Sequence, residues 1–235
     1  MSARKETLHS VVPFGRTVRR CERALVAGAL ILLAIGGSSS AAVAQRGGMR
    51  TMTLTSSGFT DGGMIPVKHA QPGRDVSPAL TWSGAPDSTA SFVLIVHDAD
   101  SPIGDGLDDT LHWLVWGIPG SATSLPEGFP QGMQVSPSAV GISVPAPAAG
   151  RGGRGGGGGI RQISMSGPYY RGPAAPSTGN PHHYVFELYA LDANVNVQAS
   201  GQSAGPPTRA AVIEAMRGHI RGKGVLVGMF RRAAP

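Results

Sequence analysis

Two polar runs, far apart in the chain, carry side chains able to do acid–base or binding chemistry. The first is Val96-His-Asp-Ala-Asp-Ser-Pro102, followed by His112-Trp-Leu-Val-Trp-Gly-Ile-Pro-Gly120; the second is Arg171-Gly-Pro173, then His182-His-Tyr-Val-Phe-Glu-Leu-Tyr-Ala-Leu191. Residues two apart in an extended segment point to the same side, so Asp98 and Asp100 are expected to share one pocket wall, and His182 with Tyr184 another. His183 points the opposite way and is read as structural. Asp98 and Asp100 end an apolar strand, and Pro102 cannot continue a ladder, so the carboxylates should emerge at a sheet rim. His112 opens an apolar strand and is expected to share a face with Leu114 and Trp116.

Singly, each of these residues has an ordinary structural role, as a turn acid capping loop amides or a hydrogen-bonded rim histidine. Together they could bind a divalent metal, position a general base or hold a small anion. The spacing fits neither a paired-histidine helix motif nor a thiolate cluster, so no metal or cofactor is expected. Nucleophilic catalysis is no better supported: the only cysteine is Cys21, and no catalytic residue is assigned. An anion site fits these residue types if the carboxylates orient the imidazoles and favour their charged, doubly donating form. Gly172 and Pro173 would then let backbone approach the ligand, since glycine has no Cβ to obstruct it.

The elements that must position these groups read as β-strands. Short runs of β-branched and aromatic residues alternate with Gly, Pro, Asp and Ser clusters from Thr51 onward, the rhythm of an all-β domain. Candidate strands are Met52 to Thr55, Ala79 to Trp82, Ser91 to Asp98, His112 to Ile118, His183 to Leu191 and Val225 to Phe230. Phe92 to Val96 and Trp113 to Trp116 are apolar at every position, which marks central strands covered on both faces. One helix is signalled late in the chain. Pro206-Pro207-Thr208 offers a stop and an N-cap, Val212, Ile213, Met216 and Ile220 recur at helical spacing, and Gly222 or Gly224 can close it.

Residues 1–44 read as a removable secretory signal. Arg16, Arg19, Arg20 and Arg23 precede an apolar run from Ala24 to Ile35, and Ala42-Val43-Ala44 has the small-x-small form of a cleavage site, with the cut expected after Ala44. The apolar run is shorter than the roughly 20 residues that span a bilayer. The leader holds six basic and two acidic residues of the chain's 20 Lys+Arg and 14 Asp+Glu, leaving 14 against 12 and a net of +2. That balance gives no argument for nucleic acid, and the protein is expected in the periplasm or fully secreted. Residues 45–50 form a short linker and 51–232 the domain. Within it, residues 146–159 are nearly all Gly, Ala, Pro and Arg, with too little side chain to bury, and are expected to be a disordered insertion rather than an RNA-binding tract.

Several stretches in order resemble the phosphatidylethanolamine-binding protein family, in particular its bacterial Raf-kinase-inhibitor-like branch. They are Ser77-Pro-Ala-Leu-Thr-Trp82, His97-Asp-Ala-Asp-Ser-Pro102, His112-Trp-Leu-Val-Trp-Gly-Ile-Pro119, Gly172-Pro173, His182-His-Tyr-Val-Phe-Glu-Leu-Tyr-Ala-Leu191 and Gly224-Val-Leu-Val-Gly228. The resemblance implies a mainly β protein, an antiparallel β-sandwich with a few peripheral helices including one near the C-terminus. It implies a pocket for phosphate, acetate or a phospholipid head group. Asp98 and Asp100 match the family's paired acids, Pro102 its following proline, His112 its first pocket histidine, Gly172-Pro173 its glycine-proline segment, and His182 with Tyr184 its last wall. Ala99 stands where many relatives carry proline, and Ala174-Ala175-Pro176 replaces the commoner pair of prolines. The implied partner is a small anion such as phosphate, or a phosphatidylethanolamine head group, held without catalysis. The rival is an inhibitor acting through its loops on a secreted protease or envelope protein, and a homodimer stays open.

Overall fold

The computed structural model describes residues 48–144, 159–199, 201 and 205–234. The expected leader and most of the Gly-rich insertion lie outside these residues. Gly159, the last residue of that insertion, is buried, and a Cβ there would lie 2.5 Å from the Val135 carbonyl oxygen.

In chain order, β1 is Arg50–Thr51, β2 Thr53–Ser56, β3 Gly63–Met64 and β4 Leu80–Ser83. The long hairpin follows as β5 (Ser91–Ile103) and β6 (Asp108–Pro119), then β7 (Ser124–Leu125), β8 (Gln134–Val135) and β9 (Ile160–Ile163). β10 (His182–Leu191), helix α1 (Gly205–Met216) and β11 (Ile220–Phe230) complete the described elements. An eight-stranded sheet runs β1-β11-β10-β5-β6-β9-β8 with β3 also on β11, and a three-stranded sheet runs β2-β4-β7. The central pairings β11-β10, β10-β5 and β5-β6 are antiparallel, whereas β1 and β3 lie parallel to β11.

Alternation along β5 explains its all-apolar reading. Phe92, Leu94 and Val96 join Leu80, Trp82, Trp113, Phe186 and Leu226 in the core beneath the small sheet. Val93 and Ile95 join Leu111, Leu114, Trp116, Val212 and Met216 in a second core beneath α1. Each such side chain removed from water contributes about 1.5–3 kcal/mol, which is why no polar face survives on these strands.

The helix differs from its expected form at both ends. Thr208 is buried inside it, not at its cap, and Pro206 and Pro207 sit in the first turn, where a missing N–H costs nothing. Gly218, at φ 78°, follows its end in place of Gly222 or Gly224. Those two glycines lie within β11, where Met52 passes so closely that a Cβ on Gly222 would stand 3.0 Å from its sulfur.

Candidate functional site

Three neighbouring strands bring the site residues together. Tyr184 on β10 pairs directly across from Asp98 on β5, and His182 lies two residues before it at the same rim. His112 arrives from β6 by a different route. Val96 pairs with Trp113 and His97 with Leu111, so His112 is an extra residue in the ladder. Such a bulge turns a side chain toward the opposite face from strict alternation. The expected companions Leu114 and Trp116 pack under α1. His112 instead packs edge-on against Tyr184, ring centroids 5.0 Å apart, on the other face.

Asp98 is the hub. Its side chain is buried, and His182 Nδ1–H donates to its two oxygens at 3.0 and 3.2 Å. Oδ1 also accepts the Asp100 backbone N–H at 3.0 Å. Among the described residues no lysine or arginine forms an ion pair with Asp98. Tyr184 Oη accepts the Ala174 N–H at 3.2 Å, and burial, followed by the Asp98 charge, pushes the phenol's pKa up, keeping it neutral.

His112 is held from both sides by one residue. Its Nδ1–H donates to the Arg171 carbonyl at 2.7 Å, while the Arg171 N–H donates to the His112 carbonyl at 3.0 Å. Burial lowers the His112 pKa below the ordinary 6.5, and the Arg171 carbonyl and Asp98 charge offset this only in part. The carboxylates therefore do not hold this imidazole charged, as the residue types had suggested. With Nδ1 carrying the proton, Nε2 is an acceptor.

Asp100 departs from the expected shared wall with Asp98. β5 and β6 pair at Asp98 and Thr110 and not again until Pro102 and Asp109, so Ala99, Asp100 and Ser101 bulge out. Asp100 Oδ2 accepts the His183 backbone N–H at 2.6 Å and lies 2.8 Å from its Nδ1, in a pair whose side chains are 43% and 53% exposed. The His183 amide foremost holds the Asp100 pKa below its ordinary value. Pro102 does continue the ladder beyond the bulge, paired with Asp109, and is exposed.

Gly172 and Pro173 brace the site by packing within the chain. A Cβ on Gly172 would lie 2.3 Å from the His69 carbonyl oxygen and 2.6 Å from Asp75 Oδ1, so the space freed by glycine is filled by residues of this same chain. The Gly172 N–H donates to Asp75 Oδ1 at 2.6 Å, Gln71 Nε2–H to the Gly172 carbonyl at 2.7 Å, and the Gln71 N–H to the Pro173 carbonyl at 3.0 Å. Tyr170 Oη donates to the His69 carbonyl at 2.9 Å. Sequence reading passed over His69, Gln71, Asp75 and Tyr170. The one available signal was the turn sequence Pro72-Gly73-Arg74-Asp75, and Asp75 indeed takes a left-handed φ of 53°.

Residues 55–231 match the family model described as phosphatidylethanolamine-binding protein. A UPF0098 protein of Methanothermobacter thermautotrophicus is 32% identical over 181 residues, spanning 77% of this chain and 99% of its own. LppC of Mycobacterium tuberculosis, named provisionally as a lipoprotein, is 36% identical over 180 residues, covering 76% of this chain and 72% of its own. Among solved structures, a Chlamydia trachomatis protein described provisionally as a phosphatidylethanolamine-binding protein homolog superposes with a TM-score of 0.56 at 27% identity. It covers 77% of this chain and 98% of that one.

Proposed function

This chain belongs to the phosphatidylethanolamine-binding protein family, and from that premise we propose that it is an exported, non-enzymatic binding protein. Its rim cluster takes a small phosphate-like anion or the phosphate of an ethanolamine head group. The observation that carries this reading is Asp98, a buried carboxylate with no lysine or arginine partner among the described residues, ringed by His182, Tyr184 and a neutral His112.

A zwitterion suits that ring. Asp98 and His112 Nε2 accept hydrogens from an ammonium group or a phosphate hydroxyl, while His182 and backbone N–H groups hold the phosphate oxygens. Export is supported by the basic leader ending in Ala42-Val43-Ala44 and by the lipoprotein name of one relative. Among the described residues no helix is long and apolar enough to cross a membrane.

Calorimetric titration of the purified protein with inorganic phosphate and with phosphoethanolamine tests the reading. Saturable binding of either ligand, lost in Asp98→Ala, supports it. Absence of binding by both to the folded protein overturns it, and turns attention to the loops as a surface for a secreted protease or envelope protein.

A further inference from the structure

On the reverse face of β5, one residue before Asp98, His97 sits among charges with 13% of its side chain exposed. Its Nδ1 contacts the Asp109 carboxylate of β6, and its Nε2 lies 3.7 Å from Glu187 Oε2 of β10. Asp109 is shared with Arg209 of α1. Glu187 is held by Lys223 Nζ of β11 at 2.5 Å and by Tyr189 Oη at 3.0 Å. These are the titratable and charged groups that every packed element turns toward the imidazole.

The placement of the Asp109 contact matters more than its charge. His97 pairs with Leu111 before the bulge of Ala99, Asp100 and Ser101, while Asp109 pairs with Pro102 after it. The imidazole therefore spans the bulge from behind, and Asp98 and Asp100 stand at and on the span it closes. The bulge is tied as well by Ser101 Oγ with Thr110 Oγ1 at 2.9 Å, by Thr110 Oγ1–H to the Ser101 carbonyl at 3.2 Å, by the Asp100 N–H to Asp98 Oδ1 and by the His183 N–H to Asp100 Oδ2, but none of these reaches Asp109 beyond it.

We propose that His97 is a positioning residue for the rim cluster: its imidazolium, clamped between Asp109 and Glu187, holds the bulge in register, and loss of its proton loosens the bulge and the site it carries. An imidazolium turns an N–H toward each carboxylate, hydrogen-bonded to Asp109 and 3.7 Å from Glu187, whereas neutral imidazole turns a lone pair on one of them. Burial works against the charge, but the Asp109 hydrogen bond and the nearby Glu187 carboxylate outweigh it and raise the pKa from 6.5 to about 9. The inference concerns geometry, so it stands whether or not phosphate is the ligand.

Carbon-detected NMR of the ligand-free protein, from neutral to strongly alkaline pH, tests it. The Cα shifts of Ala99, Asp100 and Ser101 and the ring shifts of His182 should change with the same midpoint as the His97 ring. In Arg209→Gln, which removes a cation opposing His97 protonation, both midpoints should climb together. Bulge shifts that stay flat while His97 titrates, or a bulge midpoint that stays put while that of His97 climbs, overturn the proposal. So does a folded His97→Gln variant that keeps the alkaline transition. Arg209→Gln still decides the matter if His97→Gln does not fold.

Discussion

Two histidine–aspartate clusters lie on opposite faces of one sheet, built by adjacent residues of one strand, and they differ in what balances their carboxylates. Behind β5, Asp109 and Glu187 meet His97, Arg209 and Lys223, a set in which every carboxylate has a full cation beside it. In front, among the described residues, Asp98 hydrogen-bonds with the His182 ring and the Asp100 amide and has no lysine or arginine beside it. A buried ion cluster that closes on itself is a strut, because its charges are satisfied before any ligand arrives. A buried carboxylate left short of positive charge keeps capacity for something from outside. Residue type does not distinguish the two clusters, since both contain histidine and aspartate; the cations delivered by α1 and β11 do.

The sharpest way to break the contrast is Asp98→Ala. On this account phosphate and phosphoethanolamine affinity falls by about 100-fold, the value of losing a charged hydrogen-bonding hub, as read by calorimetry. Gly172→Ala should instead damage the fold, costing about 2–3 kcal/mol in denaturant unfolding because the new methyl meets the His69 backbone. A variant as stable as the parent would show that the brace gives way easily.

The two faces also titrate with opposite sign. The folded-state pKa of His97 is raised to about 9, so its stabilisation is complete below 6.5 and is lost as pH rises through about 9. The parent should lose about 1–2 kcal/mol more than His97→Gln over that alkaline window, after discounting for solvent screening. His112 is buried neutral with its pKa lowered, so the unfolded chain takes up a proton that the native one refuses, and stability should fall as pH drops below 6.5. Urea midpoints measured across both windows check the signs, and a His112→Asn variant should lack the acid-side slope. The smallest effect belongs to Asp100→Ala. Its exposed pair with His183 should be worth less than about 1 kcal/mol in stability.

Much of this was legible in the residues. The apolar runs Phe92 to Val96 and Trp113 to Trp116 announced strands buried on both faces, and ordered motifs resembling one family carried the sandwich and its late helix. What escaped was whatever depends on register. The bulge at His112 cannot be read from alternation, because alternation, the rule a bulge breaks, places His112 on the face of Leu114 and Trp116. The bulge after Asp98 likewise sent Asp100 to His183. His97, Glu187 and Lys223 sit on separate strands, and only the pairing of Glu187 with Val225 on β11 and with Ile95 on β5 draws their side chains together. Residue type alone makes Gly172 room for a ligand, since nothing in the sequence tells which backbone fills the space beside a glycine.

The central claim is that the front cluster receives a ligand and the rear cluster does not, and histidine ring NMR during a phosphoethanolamine titration at neutral pH reads both at once. The account predicts saturable shifts of His112 and His182, with the His97 ring unmoved. Rings of His112 and His182 that stay still under saturating ligand, or a His97 ring that moves while they do not, would contradict it.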